Sequence, residues 1–315
     1  MTNQLPALRT ILLATDGSDD AALAGRVAAD LASRTGAALH LVHAWMSVPA
    51  ASYPYPAMPP ASAYQLYQTD AAAVLVAAAN ALTMAGVQPA ATHLHYGQPI
   101  GAITALGEEL DADLIVVGSR GLGPLRRLVL GSVSSGLAHQ TTRPLLVVRG
   151  GETAWPPARI VVGDDGTPAA RQAGALAASF AKVYGTPLTL VRTCAPLPRD
   201  ATRAGDELIR RTTGMAPLGD DRAIAIREEI FGRATALLHD HAVQLQGEGI
   251  AEIATEVIFG DPAAAIVEAA EAASAPALIV VGTRGLGTMA RLRLGSVSTK
   301  VLHAALCPVL VVPQR

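Results

Sequence analysis

The chain has 315 residues, room for about two domains at ~150 residues each. Half of its residues are hydrophobic and 16% are charged, which excludes a long disordered chain. The 24 basic and 26 acidic residues leave a formal charge of −2, without the basic excess of a nucleic-acid binder.

With aromatics at 3%, the core must be built from Ala, Val, Leu and Ile. Two cysteines, Cys194 and Cys307, are too few for a disulfide framework or a four-thiolate metal site. Met1–Arg9 has no basic segment leading into an apolar one, and no apolar run reaches the ~18–20 residues of a membrane helix. A cytoplasmic protein that does not engage a membrane is expected.

In chain order, Thr10–Thr15 is an apolar strand ending in Asp16-Gly17-Ser18. Ser18 or Asp19 can cap a helix over Asp20–Arg34, which Gly36 stops. Ala38–Ala44 is a second strand. A Pro/Tyr/Ala loop, Val48–Pro60, precedes a long helix near Ala63–Ala85. Thr92–Tyr96 is a third strand, and Pro99–Leu110 a helix with proline at its first position. A buried strand at Leu114–Val117, a helix at Ser132–Gln140 and a strand at Leu145–Val148 complete the series.

The series then repeats. Leu114–Val148 laid over Leu278–Val312 at an offset of 164 gives 21 identities in 35 positions. Ile11–Ser18 matches Ile160–Thr167 at an offset of 149, so the second copy carries about 14 extra residues, placed within Arg199–Arg222. Strands are expected near Ile160–Val162, Leu188–Val191, Glu256–Phe259, Leu278–Val281 and Val309–Val312. Two similar domains follow, residues 1–150 and 157–315, joined by a linker at 151–156. Apolar strands alternating with helices imply α/β domains, each a doubly wound parallel sheet with helices on both faces. Ligands of such sheets sit beyond the carboxyl ends of the strands, where strand order reverses.

The loops after the fourth strand carry the pattern best suited to chemistry. Gly118-Ser119-Arg120-Gly121, nine residues and Gly131-Ser132-Val133-Ser134 recur as Gly282-Thr283-Arg284-Gly285, nine residues and Gly295-Ser296-Val297-Ser298. Glycines let a ligand approach the main chain, and each motif ends where a helix begins, so amides and helix dipole converge on one place. Ser132, Ser134, Ser296 and Ser298 offer hydroxyl donors. The same glycines could simply make a tight turn. The pattern is not a Walker A loop, because no lysine lies in it. It is not the Rossmann fingerprint, which follows the first strand.

On these residues the chain resembles a tandem universal stress protein of the ATP-binding subclass, over nearly its whole length. The resemblance implies five parallel strands per domain in the order 3-2-1-4-5, with ATP between the loops after strands one and four. It places Asp16 and Asp165 beside the nucleotide or its Mg2+, and Ala14 and Gly163 under adenine or ribose. It sets Ala44 and Thr193 against adenine. Gly118, Gly121, Gly131 and Ser132 would hold ribose and phosphate, as would Gly282, Gly285, Gly295 and Ser296. Val133, Ser134, Val297 and Ser298 extend that cradle. Asp-Gly after a strand is also a common turn and helix cap.

Arg120 and Arg284, with Arg126, Arg127, Arg291 and Arg293, decorate the loops as solvated side chains or phosphate partners. His93-x-His95 and His239-x-His241 invite a metal reading that no third ligand completes. His139 and His303, late in matching helices, suit the helix dipole. Three functions remain: an ATP-binding regulator with little or no hydrolysis, a slow ATPase or phosphotransferase, and a nucleotide-free scaffold. The apolar final strands lie at sheet edges, so pairing them would join the halves into a pseudo-dimer. Two chains could associate further, and a protein partner is unspecified.

Overall fold

A computed structural model describes residues 7–46, 61–121, 130–151, 155–194, 220–250, 252–272, 275–283 and 294–314. The first half runs β1 (Thr10–Ala14), α1 (Asp19–Thr35), β2 (Ala38–Trp45), α2 (Ala61–Met84), β3 (Ala91–Tyr96), α3 (Pro99–Glu109), β4 (Leu114–Gly118), α4 (Ser132–Gln140) and β5 (Leu145–Val148). The second runs β6 (Arg159–Gly163), α5 (Pro168–Tyr184), β7 (Leu188–Cys194), α6 (Asp220–Gly247), β8 (Ile253–Phe259), α7 (Pro262–Glu271), β9 (Ala277–Gly282), α8 (Ser296–Ala304) and β10 (Val309–Val312). The Pro/Tyr/Ala loop and most of the inserted stretch lie outside the described residues.

Local chemistry sets these elements. Ser18, not Asp19, caps α1 by accepting from the Ala21 amide. The helix ends at Gly36, whose left-handed φ of 72° lets its amide bond back to Ala32. Thr167 and Gly185 play the same parts for α5. All the strands of a half are parallel, and β4 and β9 are fully apolar until their terminal glycines.

Ten strands form one sheet in the order β3-β2-β1-β4-β5-β10-β9-β6-β7-β8. Each half therefore has the 3-2-1-4-5 order. The halves meet where β5 and β10 pair antiparallel, with Val147 opposite Val309 and Leu145 opposite Val311. The two apolar edges thus cover each other within the chain.

One apolar layer lies under α1, α2, α5 and α6, and another under α3, α4, α7 and α8; each runs unbroken across both halves. Phe180 is the one aromatic among the largest fully buried side chains of the described residues, the rest being Leu and Ile. On the first face Asp30 of α1 accepts from Tyr184 Oη at 2.6 Å and from Trp155 Nε1 at 2.9 Å, tying one half to the other. Burial alone would raise the Asp30 pKa, but the Tyr184, Arg34 and Trp155 donors hold it below the usual value.

Candidate functional site

The crossovers from β1 and β4 leave in opposite directions, opening a crevice at their carboxyl ends. Ala14 lies there, flanked in register by Val42 and Val117. Gly163 holds the equivalent place between Val191 and Val281. A Cβ at Gly163 would come within 2.6 Å of Ile266 Cδ1, so close packing of α7 accounts for this glycine. Ala44 and Thr193 are half-buried near the ends of β2 and β7.

The Asp-Gly turns first of all position the helix caps Ser18 and Thr167. Asp16 Oδ1 accepts from the Ser18 amide at 3.0 Å, and Asp165 Oδ1 accepts from the Thr167 amide at 3.0 Å and its hydroxyl at 2.6 Å. Gly17 and Gly166 share φ of +80°, a conformation other residues adopt with strain. Oδ2 of Asp16 lies against Gly121, where a Cβ would collide with it. The Ser18 hydroxyl reaches the Arg120 carbonyl at 3.3 Å. The loops after β1 and β4 therefore touch in the first half, where the sequence placed a site between them.

Several residues expected to face a ligand also make contacts within the protein. A Cβ at Gly118 would lie 2.6 Å from the Asp20 carbonyl carbon, and one at Gly282 3.0 Å from that of Ala169. These glycines let the strand end press on α1 or α5. The Ser134 hydroxyl, buried, donates to the Ser119 and Gly131 carbonyls at 3.0 Å each. Ser298 Oγ donates to the Gly282 carbonyl at 2.5 Å. Ser134 and Ser298, expected to donate to a phosphate, here direct their hydroxyl protons to carbonyls of their own loop. Ser119 and Thr283 are buried, and Ser119 Oγ donates to Asp20 Oδ2 at 2.7 Å. Arg120 turns back to the same carboxylate, Nε to Oδ2 at 3.0 Å.

The helix starts remain directed outward. Gly131 and Gly295 are the N-caps of α4 and α8 and supply no side-chain cap. Their own amides bond back to the Ser119 and Thr283 carbonyls. The amides at the start of each helix, Ser132-Val133 and Ser296-Val297, thus head a dipole whose N-cap carries no side-chain acceptor. Ser132 and Ser296 are exposed, Val133 and Val297 half-buried against the core, in matching pattern. Such an end favours an anion. Arg284 and Gly285, and the arginines at 126, 127, 291 and 293, fall outside the described residues.

The histidine pairs separate by secondary structure. His239 and His241 sit two apart on helix α6, so they face different ways: His239 is exposed and His241 buried. His93 meets His40 across strands, Nε2 to Nδ1 at 3.2 Å. Among the described residues no three His, Cys, Asp or Glu side chains gather as a metal site. His139 and His303 stand in the last turns of α4 and α8.

Sequence reasoning missed three polar residues here. Asp164 lies beneath the second-half turn, bonded to His241 and facing Arg192. Its one sequence signal is an acid where the first copy has Thr15. Arg149, after β5, donates across the seam to the Ala305 carbonyl at 2.7 Å, and burial draws its pKa down. Both cysteines are free thiols, and burial pushes Cys307 up to about 11. Among the described residues no helix is long and apolar enough to cross a membrane.

The universal stress protein family model matches twice, over residues 7–149 and 157–313. A universal stress protein of Mycobacterium tuberculosis is 28% identical over 96% of this chain and 97% of its own length. One from Thermus aquaticus, a single repeat long, is 41% identical over 45% of this chain and 98% of its own. Among solved structures, a universal stress protein from Archaeoglobus fulgidus shares the fold, with a TM-score of 0.64 at 20% identity, over 96% of this chain and 95% of that one. Two matched copies on one continuous sheet identify the chain as a tandem member of the universal stress protein family.

Proposed function

We propose that each half binds ATP or a related adenine nucleotide, and that occupancy, rather than turnover, is the output. The observation that carries this reading is the matched pair of helix N-termini without side-chain caps at α4 and α8, each at the carboxyl end of its half-sheet. In this proposal main-chain amides at 132–133 and 296–297 hold the phosphates, and adenine lies toward Ala14 and Ala44 or Gly163 and Thr193. Asp16 and Asp165 stand on the ribose side. Any Mg2+ would arrive with the nucleotide, coordinated largely by phosphate and water.

Little or no hydrolysis belongs to the same proposal. No lysine lies in either motif loop, and Arg120 is engaged by Asp20. The proposal extends to a cytoplasmic stress-response regulator whose nucleotide state is read by a protein partner, with domains at 1–150 and 157–315 and a linker at 151–156. Two such chains could pair.

The test replaces Gly131 and Gly295 together by glutamate. Their φ values of −62° and −72° suit any residue, a Cβ at Gly131 would sit a tight 3.1 Å from the Ser119 carbonyl oxygen, and an acid near the N-terminus suits the helix dipole. The carboxylate would occupy the phosphate position. Equilibrium dialysis with ATP should show binding reduced by at least about tenfold, a loss of roughly 1.4 kcal/mol or more per site, with the thermal transition retained. Unchanged ATP affinity in the folded variant would remove the site from this place. Mass spectrometry of small molecules released from freshly purified protein identifies the nucleotide carried.

A further inference from the structure

The second half contains a buried charged group that the first half does without. Asp164 follows β6, and its side chain and that of His241 are 3% and 2% exposed. Nδ1 of His241, on α6, meets Oδ2 of Asp164 at 2.5 Å. Oδ1 of the same carboxylate accepts from the Gly166 amide at 2.6 Å and lies 3.7 Å from Arg192 Nη1. Room for the imidazole comes from Gly174 on α5, where a Cβ would lie 2.5 Å from His241 Cε1. The matching positions of the first half hold Thr15, Ala78, His43 and Gly25. There His43 Nδ1 bonds the Thr15 carbonyl at 2.7 Å, and the place of the carboxylate is taken by the threonine hydroxyl.

The first half shows that this fold needs no such group. A buried carboxylate is costly unless it is paired and hydrogen-bonded. Asp164 is paired, and it also accepts from the backbone amide of Gly166. Gly166 is the left-handed centre of the turn whose neighbours, Asp165 and Thr167, border the proposed second site.

We infer that His241 is a positioning residue for nucleotide binding in the second half. It acts through Asp164, holding the 164–167 turn in one geometry before the nucleotide arrives. This rests on the nucleotide reading above and adds a residue 77 positions away from the acid it governs. A turn already ordered loses less freedom on binding. The two sites of one chain therefore respond differently to the same change in α6.

The test is calorimetric titration of the full chain with ATP, for the wild type and three variants. His241→Ala should weaken one of the two bound ATP molecules by about tenfold and leave the other within about twofold. His241→Asn should restore both affinities, because its amide nitrogen takes the place of Nδ1. His241→Gln should not, because its amide nitrogen takes the place of Nε2. Two unchanged affinities in a thermally destabilised His241→Ala overturn the inference, as does an equal loss at both sites or a full rescue by glutamine. Should His241→Ala fail to fold, the asparagine and glutamine variants decide alone. A wild-type chain that takes up no ATP overturns the nucleotide reading itself, whereas ATP binding indifferent to His241 overturns only the positioning role of that histidine.

Discussion

In the first half, Asp20 reaches from α1 to the loop after β4, holding Ser119 and Arg120. In the second half Ala169 stands in its place, and the tie is made elsewhere: His241 reaches from α6 to Asp164 and through it to the turn after β6. The backbone frame is common to both, down to the matching starts of α4 and α8 and the paired φ of +80° at Gly17 and Gly166. What differs, among the described residues, is which side chains fasten the loops bordering the crevice, and from which helix they reach. A motif can thus repeat nearly letter for letter while the side chains that stiffen its surroundings diverge.

The sharpest break of this comparison is Asp164→Ala. Removing one partner of a buried pair leaves His241 and Arg192 facing a void, at a cost of about 3–5 kcal/mol. Thr15→Ala, the matching change, deletes a single hydroxyl contact to the Gly17 amide and should cost about 1 kcal/mol or less. Urea unfolding of both variants measures the gap. The pair also has an acid signature. Burial alone would raise the Asp164 pKa, but His241, the Gly166 amide and Arg192 together hold it below its usual value. A lowered folded value means its stabilisation is complete above the unfolded carboxylate's ~3.9 and fades as pH falls further. Unfolding free energies of wild type and Asp164→Asn should therefore converge below about pH 4.

A change of opposite sign comes next. Gly25 and Gly174 occupy matching places in α1 and α5. Gly25→Ala would put its Cβ 3.7 Å from Leu13 and 3.9 Å from Leu82, ordinary contact, and the better helix former should stabilise by about 0.5–1 kcal/mol. Gly174→Ala would drive a methyl into the His241 ring and should destabilise by about 1–3 kcal/mol. Melting temperatures that move in opposite directions confirm the asymmetry. Equal shifts would erase it.

The smallest effect is expected at Asp20. Its pair with Arg120 is partly exposed and contributes well under about 1 kcal/mol, so the larger loss in Asp20→Ala is the acceptor of the buried Ser119 hydroxyl, about 1 kcal/mol. The variant should bind ATP a few-fold more tightly at one site, because a carboxylate beside the proposed phosphate position is gone. Calorimetric titration at low salt reads this, and weaker binding would mean the clamp assists the site.

Much of the frame was legible because fully buried parallel strands write themselves as unbroken apolar runs. Leu114–Val117 and Leu278–Val281 could be nothing else, and the apolar ends Leu145–Val148 and Val309–Val312 needed cover that each now gives the other. The location of the glycine loops was legible too. The duties of individual residues within them were not. Ser134 and Ser298 read as donors to a ligand, since a sequence does not show the carbonyls of the residue's own loop lying within 3 Å. Gly118 read as a ligand-approach glycine, although the backbone it admits is that of α1. The link between Asp164 and His241 spans an insertion and was hidden for that reason.

The antiparallel seam between β5 and β10 has a genetic corollary. Were the two modules separate copies of one gene product, every substitution would appear on both sides of the junction. Fused head to tail, each module can accumulate its own changes while the junction keeps its register. A charged residue can then be sunk into one module alone, and a single polypeptide can own two unequal modules at a fixed one-to-one ratio.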